Sequence, residues 1–358
     1  MVRDTIPRPF WFVLAMVVAL VLLVLAIRLG WAPPGAASGP GRPLLASATE
    51  RTATTPTEDA TAASPTAQPK AGLALPPAPT KAITPTPTIV GVPLSLRPTR
   101  VPYEGPSQRE DHYWLARPIG PEDNDIIARY YPYGARQDGS YPVHFGVEFV
   151  NPLGTPVLAV GDGEVVVAGG DQANVYGARD NFYGTLVVLK LDRTYQDQPI
   201  YALYGHLSEL RVNVGQRVKT GQTVGLVGMA GVAEGYHLHF EVRLGANNYQ
   251  STANPELWLQ PRQGCGTLAG VVLDTAGVLV DDEVRLIVQS ASGSERYEVT
   301  TYPNIGVNPD PAWLEDFCIG DLSAGTWSVQ TFVRGQLIQD TATIVAGQTT
   351  WLELRLSR

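Results

Sequence analysis

HFGVEF (residues 144–149) and HLHFEVRL (residues 237–244) bracket the part of the sequence that decides the fold. Short runs rich in β-branched and aromatic residues lie between them, separated by glycine-containing turns. No long amphipathic helical pattern interrupts the series. The spacing predicts an antiparallel β domain, which we place at residues 108–262. The intervening runs are GTPVLAVGDGEVVVAGG (154–170), GTLVVLKL (184–191), PIYALYGHL (199–207) and VNVGQRVKTGQTVGLVG (212–228).

A second series of strand-length runs fills residues 263–358, among them TLAGVVLD (267–274), EVRLIVQS (283–290) and GTWSVQTFV (325–333). Their regular turn spacing predicts a small C-terminal β-sandwich. The predicted fold class is therefore mainly β, with an antiparallel β domain, a β-sandwich and one N-terminal transmembrane helix. The only cysteines are Cys265 and Cys318, for which one intrachain disulfide is the simplest interpretation in an exported chain. Two free buried thiols are the alternative.

The N-terminus predicts a membrane anchor. Residues 10–27 are an uninterrupted apolar run, long enough to cross a hydrocarbon core of roughly 30 Å as a helix. Arg3 and Arg8 precede it, which predicts a cytoplasmic N-terminus at 1–9, a signal anchor at 10–30 and an extracytoplasmic remainder. A cleaved signal peptide is the alternative, and the protein would then be secreted.

Residues 31–107 are dominated by Pro, Ala, Thr and Ser and hold too few large apolar side chains to form a core, which predicts a disordered linker. Its prolines favour a partly extended spacer. The chain as a whole has a formal net charge of −8 and a sequence pI near 5.2. This acidic balance disfavours a nucleic acid as partner.

Four of the five histidines fall in three short segments of the first β domain. His237 and His239 alternate in one predicted strand and therefore share a face, and His144 and Glu148 share a face in another. Imidazole nitrogens and carboxylate oxygens are zinc ligands, and a catalytic zinc site typically has three protein ligands and a water. The pattern predicts one zinc ion per chain. If Glu148 is a ligand, two of the four histidines remain for proton transfer.

HFGVEF, GTPVLAVGDGEVV, YGHLS, GQRVKTGQTVG and HLHFEVR, in this order, resemble the lysostaphin-type (LytM-type) zinc metalloendopeptidases over most of residues 140–260. The resemblance implies that His144, Glu148 and His239 bind zinc. It also implies that His206 and His237 are catalytic histidines that do not bind the metal. The expected function is a membrane-anchored zinc metalloendopeptidase that hydrolyses stem or cross-bridge peptides of peptidoglycan.

Two departures from that family concern the site. Glu148 stands where the family usually has Asp, so its carboxylate lies one methylene further from the backbone, roughly 1.5 Å. Either the strand is shifted to compensate, or the zinc affinity falls. Before HLHFEVRL, Glu234 and Tyr236 replace a small hydroxyl residue and a proline, and a carboxylate here would change the substrate preference of the groove.

Other functions remain open at this point. A catalytically inactive relative would keep the fold and bind or activate a cell-wall hydrolase. GQRVKTGQTVG also resembles lipoyl-like carrier hairpins, but that interpretation lacks a lysine at the hairpin tip and leaves HFGVE and HLHFE unexplained. The last hundred residues loosely resemble carboxypeptidase-regulatory-like sandwiches, which implies an accessory module.

Several residues near these motifs have structural interpretations. His112 is expected to be a surface or packing histidine, and Gly146 to serve a turn or a close backbone approach. Tyr204 either lines the groove with His206 or packs in the core. The segment EDHYWLARPIGPEDND (110–125) could fold over the groove and supply an Asn or Asp as a further zinc ligand.

Overall fold

The computed structural model describes residues 102–136, 141–280, 283–303 and 306–357. The predicted cytoplasmic N-terminus, the signal anchor and all but the end of the linker lie outside these residues. Within the described ranges, no helix has the length and apolar character needed to cross a membrane.

The prediction of a mainly β fold is confirmed. The described residues form strands and two short 3-10 helices, Tyr249–Ser251 and Pro255–Leu257. The strands are β1 Val147–Val150, β2 Pro156–Leu158, β3 Gly163–Gly170, β4 Thr185–Tyr195, β5 Gln198–Gly205, β6 Leu207–Leu210, β7 Arg217–Val218, β8 Thr223–Val227, β9 His237–Leu244, β10 Thr252–Ala253, β11 Cys265–Leu273, β12 Arg285–Ser290, β13 Arg296–Thr300, β14 Phe317–Ser323, β15 Gly325–Val333, β16 Gln336–Ile344 and β17 Thr349–Arg355.

The first β region is built on a seven-stranded sheet of order β1-β9-β5-β4-β3-β7, with β10 paired to the far end of β9. All of its ladders are antiparallel, as predicted. Strand β9 is central and has two faces. Leu238, Phe240 and Val242 belong to the main hydrophobic core, and the alternating residues between them are polar.

A second, three-stranded sheet of order β2-β8-β6 covers the opposite side of that core. Its apolar residues Val157, Val224 and Leu207 join the same cluster as the central sheet. The apolar face of β9 packs in this core, so the polar face of the strand is the one available to form a site.

The C-terminal region contains two further sheets, of order β14-β11-β17 and β13-β12-β15-β16. Both contribute to one core, which includes Val272, Val288, Trp327 and Leu354. Most pairs are antiparallel, but β11 and β17 run parallel. The two sheets share this core, while the predicted β-sandwich and its resemblance to carboxypeptidase-regulatory domains stay predictions.

The predicted disulfide is wrong, because Cys265 and Cys318 are free thiols. They lie on neighbouring strands, but Cys265 is opposite Ser323 whereas Cys318 is opposite Ala269. Four residues of strand, roughly 13 Å at 3.3–3.4 Å per residue, separate the two cysteines along β11. A disulfide needs Cα atoms less than about 7 Å apart, so this register forbids it.

The two β regions share buried contacts. Trp258, at the end of the first region, donates its Nε1–H to Asp310 Oδ2 (2.9 Å). Glu256 accepts from Arg129 Nη1 (2.7 Å) and from the backbone N–H of Gly320 (2.6 Å). The predicted domain boundary at residue 262 stays a prediction. The segment just before this residue has buried contacts with both β regions.

Candidate metal centre

The register of β9 brings the motif residues together. Glu148 on β1 is directly opposite His239 on one side, and Gly205 at the end of β5 is directly opposite it on the other. His206 follows Gly205, so three separate parts of the sequence meet at one point of the sheet. The backbone of His206 has a positive φ of 62°, which is uncommon for a residue with a side chain. This conformation turns the chain from β5 into β6.

The three predicted metal ligands lie within contact of one another, and all are buried. His144 Nε2 lies 2.8 Å from Glu148 Oε1 and 3.2 Å from His239 Nδ1, and His239 Nδ1 lies 3.0 Å from the same carboxylate oxygen. His144 precedes β1 and is not in the strand, so a shared strand face is not what pairs it with Glu148. The extra methylene of Glu148 is accommodated, since its carboxylate reaches both imidazoles.

Gly146 makes this approach sterically possible. A Cβ atom at this position would lie 2.6 Å from the carbonyl oxygen of Phe240 and 2.7 Å from Cε1 of His239. Real Cβ atoms do not approach so closely, and one of the two contacts is with fixed backbone. The expectation that Gly146 serves a close backbone approach is confirmed, and the groups approached are the Phe240 carbonyl and the His239 ring.

The sequence analysis missed a buried network behind His239. His239 Nε2–H donates to Glu241 Oε1 (3.0 Å), and Glu241 Oε2 accepts from Arg243 Nε (2.7 Å). Tyr183 also donates its hydroxyl to Glu241. His239 therefore lies between two carboxylates, with Glu148 Oε1 at Nδ1 and Glu241 Oε1 at Nε2, and a carboxylate only accepts hydrogen bonds. The strand alternation of HLHFEVRL is the signal that could have found Glu241 and Arg243.

The local charges set the protonation of the centre. Burial raises the pKa of Glu148, but the surrounding imidazoles outweigh this and hold it well below its ordinary value. Burial lowers the pKa of His144. Burial also opposes the charged form of His239, yet the Glu148 and Glu241 carboxylates raise its pKa to about 9. Burial disfavours ionised Glu241 too, but chiefly Arg243 lowers its pKa to about 2.

The other two predicted residues, His206 and His237, stand beside this cluster with ring centroids 4.8 Å apart. His206 Nδ1–H donates to the carbonyl of Ala230 (2.7 Å), and His237 Nδ1–H donates to the carbonyl of Gly235 (3.0 Å). Carbonyl oxygens cannot donate, so both rings carry a proton on Nδ1, and His237 Nε2 lies 3.0 Å from Glu148 Oε2. Burial lowers the pKa of His206 to about 3, which keeps that ring neutral.

These side chains form the floor of a cavity of about 410 Å³. Tyr131 stacks on His144 with ring centroids 4.1 Å apart and holds that imidazole in place. The only acidic residues among the described lining residues are Glu148 and Glu234, and no Lys or Arg is among them. The walls are mostly apolar and aromatic, and include Tyr130, Tyr131, Tyr141, Phe182, Val232 and Tyr249.

The remaining candidates lie elsewhere. His112 is buried against Trp258, with Nε2 2.8 Å from Asp310 Oδ2, and is a packing histidine. Tyr204 is in the core, where its hydroxyl accepts from the N–H of Val160 (2.9 Å), so it does not line the groove. No residue of 110–125, all of which are described, lines the cavity, so this segment does not cover it.

Comparison with known proteins identifies this part of the chain. The family model of Peptidase family M23 matches residues 142–252. ShyA, a peptidoglycan DD-endopeptidase of Vibrio cholerae serotype O1, is 39% identical over 100 residues, which cover 28% of this chain and 20% of that protein. Lysostaphin of Staphylococcus simulans is 32% identical over 143 residues, covering 38% and 26%.

A solved catalytic domain of the prophage-encoded M23 protein EnpA from Enterococcus faecalis is 29% identical, with 40% of this chain and 95% of that chain covered and a TM-score of 0.32. The family match and the curated relatives support a Peptidase M23 domain of the LytM/lysostaphin type within this chain. The chain spans only about a fifth of the length of the DD-endopeptidases that it matches.

Proposed function

We propose that the protein is a zinc metalloendopeptidase that hydrolyses peptide bonds in peptidoglycan. The observation that carries the proposal is the convergence of His144, Glu148 and His239 on one point at the base of an apolar groove. Relatives named as peptidoglycan DD-endopeptidases and as lysostaphin support the choice of substrate.

The residues present suit a divalent cation. Three groups that offer lone pairs face each other at 2.8–3.2 Å, and proteins do not gather such groups in a buried place without a cation or a shared proton. Glu148 Oε2 is buried without a hydrogen bond of good geometry, although His237 Nε2 lies 3.0 Å from it. Two imidazoles and one carboxylate form a donor set that catalytic zinc accepts.

His144, Glu148 and His239 would hold the metal, and Glu241 would fix the tautomer of His239 from behind. When bound, zinc supplies Lewis acidity that polarises a scissile carbonyl and acidifies a water molecule. His206 and His237 would carry the protons. Each has its Nδ1–H bonded to a backbone carbonyl, so Nε2 is the nitrogen that would take a proton from water or deliver one to the leaving amine.

The geometry favours this enzyme over the catalytically inactive relative. An inactive relative needs neither a complete ligand set nor two further imidazoles held in one orientation. Here all five side chains are buried around the same cavity, and Glu148 reaches the two ligand imidazoles despite its extra length.

Elemental analysis of metal-replete protein tests the proposal. We expect about one zinc per chain in the wild type, with loss of the metal in Glu148→Ala and His239→Ala. His206→Ala and His237→Ala are the matched controls, and should keep the zinc but lose peptidoglycan hydrolysis. A wild-type chain that binds no zinc would replace this proposal with the inactive, hydrolase-binding relative.

We also propose that the peptidase faces the cell wall from a single membrane anchor at residues 10–30. The apolar run and the preceding arginines support this. Fractionation of cells that produce the full chain should place it in the membrane, with the peptidase region accessible to protease from outside the cytoplasm. Recovery of the chain from the culture medium would favour a cleaved signal peptide instead.

A further inference from the structure

Glu234 is a second acidic residue in the groove, and the proposed chemistry does not use it. It lies in the loop that precedes β9 and lines the same cavity as the four clustered histidines. Its Oε1 accepts a hydrogen bond from the Tyr141 hydroxyl (3.0 Å), which comes from the opposite wall. Among the described residues, no Lys or Arg forms an ion pair with it, so none of them compensates its negative charge at the groove.

The wall beside Glu234 is aromatic. Tyr131 and Tyr141 pack with ring centroids 5.7 Å apart, and Tyr130 and Tyr141 are partly exposed at the cavity edge. The faces of tyrosine rings carry negative potential and attract cations. A carboxylate next to tyrosine faces, in a groove whose described lining contains no basic side chain, is the chemistry that recognises an ammonium ion.

We propose that Glu234, with Tyr141, binds a primary ammonium group of the peptide substrate. The proposal rests on the proposed function, because it assumes that the groove binds a peptide. It names a substrate class for this site, namely peptides with a free amino group near the bond that is cleaved. That group is either a lysine-type side chain or an N-terminal amine.

The contacts also indicate where on the substrate the ammonium lies. Tyr141 contacts Tyr131, and Tyr131 stacks on the metal-ligand residue His144, so two aromatic rings separate Glu234 from the metal ligands. An extended peptide advances roughly 3.3 Å per residue, and two rings span on the order of 10 Å. The ammonium is therefore expected about two to four residues from the scissile bond.

Isothermal titration calorimetry on the full chain, treated with a chelator so that peptides bind without being cleaved, tests this. The probes are blocked hexaalanine peptides with one lysine placed at each position in turn, the same peptides with acetylated lysine, and hexaalanine with a free N-terminus. We expect the preferred free-amine peptide to bind about five-fold more tightly than its acetylated or blocked counterpart, a ratio typical of an exposed charge pair. High salt should reduce the ratio.

Glu234→Gln removes the charge but keeps an oxygen that can accept from Tyr141. In this variant the ratio should fall to about one, while Glu122→Gln, an exposed residue outside the cavity, should keep it. Equal binding of both peptide types by the wild type, no binding of either, or a preserved ratio in Glu234→Gln would overturn the proposal. Peptidoglycan hydrolysis by the zinc-loaded chain is measured separately. Hydrolysis without an ammonium preference would reject only this inference, and a preference without hydrolysis would reject only the enzyme.

Discussion

Glu241 accepts from Nε2–H of His239, so Nδ1 is the nitrogen that faces the other proposed metal ligands. It is fully buried, which an ionised carboxylate tolerates only with strong partners, and here Arg243, Tyr183 and His239 supply them. The proton of His239 is thereby held on Nε2. Without this partner the imidazole could rotate or exchange tautomers, and the metal would lose a ligand that is oriented in advance.

We therefore predict that Glu241→Gln lowers the zinc affinity by about 10- to 100-fold, the range found for groups that support metal ligands from behind. Competition with a chromophoric chelator measures the dissociation constant directly. Glu209→Gln, at an exposed position on β6, is the control and should leave the affinity unchanged. An affinity equal to wild type in Glu241→Gln would show that the tautomer is held in another way.

At the scale of single residues, the sequence predicted the four motif histidines because the chain has only five histidines and their clustering carries information, whereas Glu148 was assigned through the family resemblance. Arg243 and Glu241 were missed, although they follow His237 and His239 at the same two-residue spacing. The carbonyl groups of Ala230 and Gly235 could not have been predicted, since every residue has one and only the loop conformation selects these two.

The element that positions the centre is β9 with its neighbour β1, and Gly146 is the point of closest approach. We predict that Gly146→Ala lowers the free energy of unfolding by about 1–3 kcal/mol, as overpacking does elsewhere, and weakens zinc binding by pushing on His239. Denaturant unfolding and zinc titration measure the two effects. Gly169→Ala is the matched control, because a Cβ at that strand position has nothing within 4 Å. Equal stability of the two variants would contradict the packing argument.

The strand register also determines the fate of the two cysteines. We predict two reactive thiols per chain when the protein, purified without reductant, is unfolded and titrated with a thiol reagent. The offset of Cys265 from Cys318 along the ladder prevents their oxidation to an intrachain disulfide in the folded state. Cys265→Ser should give one thiol. Fewer than two thiols in the wild type would indicate a different register or a different pairing.

The strands themselves could be read from their apolar runs, and most lie where the runs predict. The pairing of the strands could not be predicted from the sequence, because β1 pairs with β9 across nearly ninety residues and β11 runs parallel to β17. Contacts this far apart leave no local periodicity. The disulfide was predicted wrongly for the same reason, since the spacing of cysteines in the sequence carries no information about strand register.

At the scale of the whole molecule, the two β regions share a buried polar contact. His112 and Trp258 of the first region both contact Asp310 of the second, and this carboxylate is fully buried. The core of the first region also includes Trp313 and Cys318. The core around the M23 match at 142–252 therefore extends to residues of the second region.

We predict that a chain ending at residue 262 is at least about 5 kcal/mol less stable than the intact chain, or does not fold. The truncated chain would lack Asp310, the partner of His112 and of the Trp258 indole, and each lost hydrogen bond would lower the free energy of unfolding by about 1.5–3 kcal/mol. It would also expose apolar residues of the core. Chemical denaturation followed by tryptophan fluorescence measures this. The stability of Asp310→Asn in the full chain should lie between that of the intact chain and that of the truncated chain. An unchanged denaturation midpoint in the truncated chain would mean that the two regions fold independently.

The loop that carries Glu234 also carries the two carbonyls that orient His206 and His237. The residues proposed for selectivity and those that orient the proposed proton carriers thus lie in one short segment. Grafting a relative's loop here to change the substrate would also change the orientation of both imidazoles. Altered selectivity obtained in this way should come with a lower turnover number, and single substitutions at the loop tip are the safer route to a new specificity.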